Sequence, residues 1–152
     1  MNRIKKEESL LEKDINLVKK YIGLVSYYFR KFKVECESCH SKTEEKFYPI
    51  FNSLWGLIHG LAFKLKTDIK KDAKLKSLVH EFYNKFKYLP CEICKTHYVD
   101  YLRNNSLFRI RTNEDLQIWT VTLHNSVNSR LNKRNFSYNY AKTKYINYNA
   151  DF

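Results

Sequence analysis

Cys91-Glu92-Ile93-Cys94 directly follows Leu89-Pro90, and a second pair, Cys36 and Cys39, stands upstream in a polar stretch. Closing so small a ring stabilises a fold little, so closely spaced pairs point to thiol–disulfide exchange or to metal binding. Proline suits the first turn of a helix, so Pro90 marks a helix start. There the unpaired backbone N–H groups and the macrodipole favour a thiolate. Cys91 would carry the depressed pKa and meet an incoming thiol or disulfide. Cys94, one turn inward, would resolve it.

Other chemistry fits the same sulfurs. Cys36, Cys39, Cys91 and Cys94 together could form a four-cysteine zinc site in a basic binding module, for nucleic acid or an acidic partner. The stretch between the pairs is long for a compact ribbon. Cys36-Glu37-Ser38-Cys39-His40 also has the CxxCH spacing of c-type haem attachment, but no second axial ligand is evident nearby. A thioredoxin-like fold is disfavoured, because its CxxC follows a strand and no strand pattern is seen.

A second constellation lies downstream. His124, Asn125 and Asn128 share a helix with Trp119, Leu123 and Val127. Asn is a poor residue in mid-helix, so its recurrence beside apolar positions suggests polar groups facing something that needs hydrogen bonds. Arg130, Lys133 and Arg134 near the end of that helix could neutralise phosphates. Trp55 and His59, at i and i+4, share a face of an earlier helix. An aromatic, amide and basic lining suits a flavin dinucleotide better than a simple metal.

The elements that would position these residues are helical. Only 3 Gly and 2 Pro punctuate 152 residues, which suffice for a substantial core. Leu11, Ile15, Val18, Ile22, Val25, Phe29 and Phe32 form a heptad seam over residues 5–33, either packed on the bundle or pairing with a second chain. Further helices are expected from residue 44 or 47 to 66, over 72–87, over 91–104, and to 132 from a capping box at Thr112. The tail from Arg134 reads as less regular. The net charge of +12 favours anionic partners without choosing among them. No apolar run reaches the ~20 residues of a spanning helix, and no secretory signal is seen, so a cytoplasmic setting is expected.

At these residues the chain resembles the Erv/ALR family of FAD-linked sulfhydryl oxidases. The likeness runs from about Phe51 to Tyr145 and rests on four segments in order. They are Trp55-x-x-x-His59; Tyr88-Leu89-Pro90-Cys91-Glu92-Ile93-Cys94; Trp119 with His124-Asn125-x-Val127-Asn128-x-x-Leu131-x-Lys133; and Lys144-Tyr145. His97 and the wording from Leu123 to Lys133 are most like the small members of large DNA viruses, of the African swine fever virus type. The resemblance implies an all-α bundle of four to five helices holding FAD, preceded here by an extra N-terminal helix. Residues 1–43 would be that helix and a CxxC connector, and residues 44–152 the FAD-binding domain. It implies Cys91 as the interchange sulfur and Cys94 as the one nearest the flavin. FAD contacts would come from Trp55, His59, His97, His124, Asn125, Val127, Asn128, Lys133, Lys144 and Tyr145, with no metal. Cys36 and Cys39 would be a mobile shuttle. Implied partners are a thiol-bearing protein, such as a thioredoxin-like or CxxC carrier, molecular oxygen, and a second copy of the chain, whereas nucleic acid is disfavoured. Phe51 and Asn52 depart from the Gly-Arg pair that often precedes the family's tryptophan.

Overall fold

Apolar side chains spaced alternately three and four apart make the first part of the chain one long helix, α1 (Arg3–Ser38). In this computed structural model, residues 2–38 and 48–150 are described, with side chains described over 2–33 and 49–150. The connector with Cys39, and the side chain of Cys36, lie outside the described residues. The heptad seam is used within the chain: Val18, Val25 and Phe32 are buried, and Leu11, Ile15, Ile22 and Phe29 pack on the same core. α1 lies against α2 (Tyr48–Lys64) and α3 (Ala73–Asn84). Buried Asp14 fastens it further, accepting hydrogen bonds from the backbone N–H of Lys66 (3.1 Å) and Thr67 (2.6 Å) just past α2.

α2 is apolar on nearly every side. Leu54, Leu57, Ile58, Leu61, Ala62 and Phe63 are all buried. Such a helix belongs in the middle of a bundle, and α2 does pack on α1, on α5 (Asn113–Arg130) and on α6 (Tyr138–Tyr145). α3 starts at Asp72, whose carboxylate accepts from Leu75 N, and turns Leu75, Val79, Phe82 and Tyr83 inward. The helix expected over 72–87 tightens at Lys85 into a 3-10 turn, Lys85–Tyr88. α4 (Glu92–Asn104) follows, with Cys91 as its N-cap; Pro90 therefore precedes the cap and is not part of the first turn.

The capping box at the start of α5 is present in full, with the Thr112 hydroxyl accepting from Asp115 N and the Asp115 carboxylate accepting from Thr112 N. α5 is closed off just past its end by Asn132, the one described non-glycine residue with positive φ (56°). Asn tolerates the left-handed region, and the following hydrogen bonds (Asn132 N to Ser129 O, Lys133 N to Asn128 O) close a Schellman-type end. The tail, read as irregular, contains α6. Ser137 caps it by accepting from Tyr140 N. Beyond it, Tyr148 lies flat on α2 where Gly56 and Gly60 leave room; a Cβ on Gly60 would stand 2.5 Å from its ring. Among the described residues there are six α-helices and no strand, the all-α architecture expected. None of these helices is long and apolar enough to cross a membrane.

Candidate active site

The sulfur of Cys91 takes the place a hydroxyl or carboxylate usually holds at a helix start. Cys94 N–H donates to it at 3.3 Å. Both cysteines are present as free thiols, each half-buried. The Cys94 thiol donates to the Cys91 sulfur, and the backbone N–H groups of Cys94 and Ile93 add to it; Cys91 is pulled down to about 6. That same donated bond, with burial, pushes Cys94 up. The shared bond thus favours the negative charge on the outer sulfur and the proton on the inner.

Cys94 opens onto a cavity of about 280 Å³ between α2, α4 and α5. Its walls are mostly apolar: Leu54, Trp55, Ile58, Phe86, Leu89 and Val127. His97, His124, Asn128, Arg130 and Lys133 supply the polar groups, and Phe51 and Asn52 also line it. A second cavity of about 280 Å³ shares His124 and Asn128 with the first. There the walls turn basic and aromatic, with Arg134, Phe136, Tyr140, Lys144 and Tyr145. Together the two spaces meet at His124 and Asn128, mostly apolar beside a sulfur and cationic and aromatic beyond. Such a lining fits a planar ring joined to an anionic nucleotide.

Their junction is built from stacked rings. His124 lies parallel to Trp55, with centroids 3.7 Å apart and planes at 4°. His59 stacks on Tyr145 at 4.6 Å. A chain of hydrogen bonds sets the histidine tautomers. Thr120 Oγ1 stands 2.8 Å from the Gln117 carbonyl, which has no hydrogen to give, so the hydroxyl donates there. It therefore accepts from His59 Nδ1–H at 3.1 Å. His59 Nε2 is then a lone pair, and His124 Nδ1–H donates to it at 2.8 Å. Burial first, then the His124 and Lys144 charges, keep His59 well below its ordinary pKa. Burial, Lys144 and Lys133 push His124 down to about 4. Both rings are neutral at pH 7.

Of the ten residues expected to contact a cofactor, Trp55, His97, His124, Val127, Asn128, Lys133, Lys144 and Tyr145 line one or both cavities. His59 and Asn125 stand behind the walls. His59 is 0% exposed and holds His124. Asn125 clamps the loop after α5, donating to Phe136 O at 2.9 Å and accepting from Phe136 N at 3.0 Å. Trp119 belongs to the core, its indole N–H donating to Asn105 O at 2.8 Å. Phe136 and Tyr140 belong to no motif in the sequence; the Ser137 cap, which starts α6 between them, is the local signal for them. Among the described residues no group of three His, Cys, Asp or Glu gathers as metal ligands.

A sequence model of the Erv1 / Alr family matches residues 52–146, more than half of the chain, and spans Trp55, the Cys91 pair, the α5 motif and Tyr145. The chain belongs to the Erv1 / Alr family. It is 44% identical over 57 residues to the FAD-linked sulfhydryl oxidase of African swine fever virus (isolate Pig/Kenya/KEN-50/1950), covering 38% of this chain and 47% of the relative. A probable FAD-linked sulfhydryl oxidase, R368, of Acanthamoeba polyphaga mimivirus is 30% identical over 87 residues, 55% of this chain and 59% of that one. The mitochondrial FAD-linked sulfhydryl oxidase ERV1 of Saccharomyces cerevisiae is 29% identical over 89 residues, 58% of this chain and 46% of that one. The chain thus spans about half the length of the curated relatives it matches. No solved structure matches it. Family membership gives no support to a zinc-centred reading of the cysteines.

Proposed function

We propose that this chain is an FAD-dependent thiol oxidase that introduces disulfides into protein substrates. The observation that carries it is the placement of Cys94 on the wall of a mostly apolar cavity that shares His124 and Asn128 with a cationic one. Trp55, His124, Val127 and Asn128 would hold the ring system, and Lys133, Arg134, Lys144 and Tyr145 the phosphate-bearing end. FAD bound there supplies an acceptor for the electron pair of the dithiol and a route from it to oxygen, with release of hydrogen peroxide.

The chain's own residues do the rest. Cys91, at the rim, exchanges with the substrate, its thiolate favoured by the start of α4. Cys94, inward, faces the cavity. His59 fixes the tautomer of His124, which leaves His124 Nε2 as an acceptor.

The reading extends to Cys36 and Cys39 as a shuttle between a thioredoxin-like or CxxC carrier and Cys91, with residues 1–43 as the shuttle unit and 44–152 as the FAD-binding unit. It extends also to a homodimer and to a cytoplasmic setting (host cytoplasm or virion), on the likeness to viral relatives. The purified protein should be yellow, with a flavin band near ~450 nm that bleaches with a dithiol and recovers in air. A colourless protein that takes up no FAD would overturn the proposal. Cys36→Ser with Cys39→Ser should slow oxidation of a protein substrate and spare a small dithiol; equal rates on both would remove the shuttle.

A further inference from the structure

Three cations close the C-terminal end of α5, and they do not face one place. Arg134 lines the second cavity, Lys133 the first, and Arg130 the first at the corner where Cys94 and His97 stand. Helix register explains that corner. Cys94 and His97 are i and i+3 on α4; Ser126 and Arg130 are i and i+4 on α5. The Ser126 hydroxyl donates to Leu123 O at 2.7 Å, so its oxygen accepts from His97 Nε2–H at 3.0 Å. That contact pins the two helices together. One turn on along α5 and one turn back along α4, Arg130 and Cys94 line the same cavity, and the guanidinium charge there draws the Cys94 thiol toward its anion against the opposing pull of burial.

We propose that Arg130 stabilises Cys94 as the leaving sulfur of disulfide exchange: its charge reaches both sulfurs, but the inner one lacks the backbone N–H groups that the helix start gives the outer one. A substrate thiolate forms an S–S bond to Cys91. The Cys91–Cys94 bond breaks, and its electron pair leaves on Cys94 as a thiolate. The substrate sulfur is oxidised to a mixed disulfide and Cys94 is reduced, with no other electron donor or acceptor. A sulfur whose thiolate is more stable leaves faster.

Cys94 needs such a partner because of where it sits. The α4 N–H groups point at Cys91, and burial penalises charge on Cys94. Of the cations nearby, Arg130 is the one whose charge acts on Cys94. Lys95 is 4.0 Å from Glu92 at the surface. His97 is held neutral by burial and by Arg130, against the pull of Asp100. Arg130 is itself at the surface, so its side chain is replaceable without cost to the core. The proposal takes the identity of the attacking thiol from the oxidase reading, but the charge effect on Cys94 requires no cofactor.

The test is alkylation of Cys94 in a chain carrying Cys36→Ser, Cys39→Ser and Cys91→Ser, with circular dichroism confirming the fold. Arg130→Gln should slow reaction with iodoacetamide at pH 7 about tenfold, as its pH midpoint rises by about one unit. Arg130→Lys should restore the rate to within about threefold, since the proposed effect is one of charge and a point charge supplies it. Superimposable profiles for the parent and Arg130→Gln, or equal slowing by Gln and Lys, would overturn the proposal. A visible spectrum of the same samples separates the two readings. Arg130-dependent alkylation in a chain that binds no flavin sinks the oxidase alone. A flavin-loaded chain indifferent to Arg130 sinks this inference alone.

Discussion

At the α4 end of the site both sulfurs are half-buried, and Tyr88 and Ile93 beside them are 75% and 70% exposed; at the α2–α6 end His59 is 0% exposed and Tyr145 6%. One end is held by a few hydrogen bonds to sulfur, which are weak and easily exchanged. The other is held by stacked rings and a three-link relay to a backbone carbonyl. A group that trades covalent bonds with another protein has to be reachable. A group that grips a ligand has to keep water out. On the proposed reading the two demands are kept apart by placing the sulfurs at the start of α4 and the ring stack against α6, with α2 and α5 running past both.

Cutting a sulfur should separate the ends most sharply. Cys94→Ser should lower dithiol-dependent oxygen uptake at least about a thousandfold while the flavin band is retained, because covalent catalysis is lost and the ring stack is untouched. Loss of flavin in that variant would mean that the ends are not independent. Acid should act on the other end. His124 has a folded pKa of about 4 against an ordinary 6.5, so the unfolded chain binds the extra proton first as pH falls. Its share of stability is complete above about 6.5 and declines toward about 4, by up to about 3 kcal/mol. Urea unfolding from pH 7 to 4.5 measures this, and His124→Gln should flatten the slope. An unchanged slope would show that the ring titrates normally in the fold. The smallest effect should come from Ser137→Ala, which removes the α6 cap at a cost of about 1 kcal/mol. A melting temperature unmoved by that change would show that α6 is held by Tyr145 and Tyr148 alone.

The sequence carried local signals faithfully. Thr112 and Asp115 declared a helix start because both partners lie within one turn. Cys91 could be placed at a helix start because Pro90 precedes it. α6 is hard to read because eight residues, three of them Tyr, are too few to show a period, and Ser137 alone is a faint mark. What no local reading supplies is register between helices. The His59–His124 bond joins residues 65 apart. Arg130, grouped with two other cations as a phosphate neutraliser, lies at the dithiol corner because of how α4 crosses α5. That crossing is a property of packing, which is written across the whole core.

Tyr148 on Gly56 and Gly60 restricts the order in which this chain can change. At Gly56 an added methyl meets the far end of the ring, which can swing aside or lose its hydroxyl. At Gly60 it meets the ring near its root, 2.5 Å away, where little can give. A lineage could shrink Tyr148 first and then fill either glycine. Taking the steps in reverse, through Gly60→Ala, would first lift the tail off α2 and with it the footing of α6. Two positions about ninety residues apart therefore share one mutational history, and the route between alternative sequences has a preferred direction.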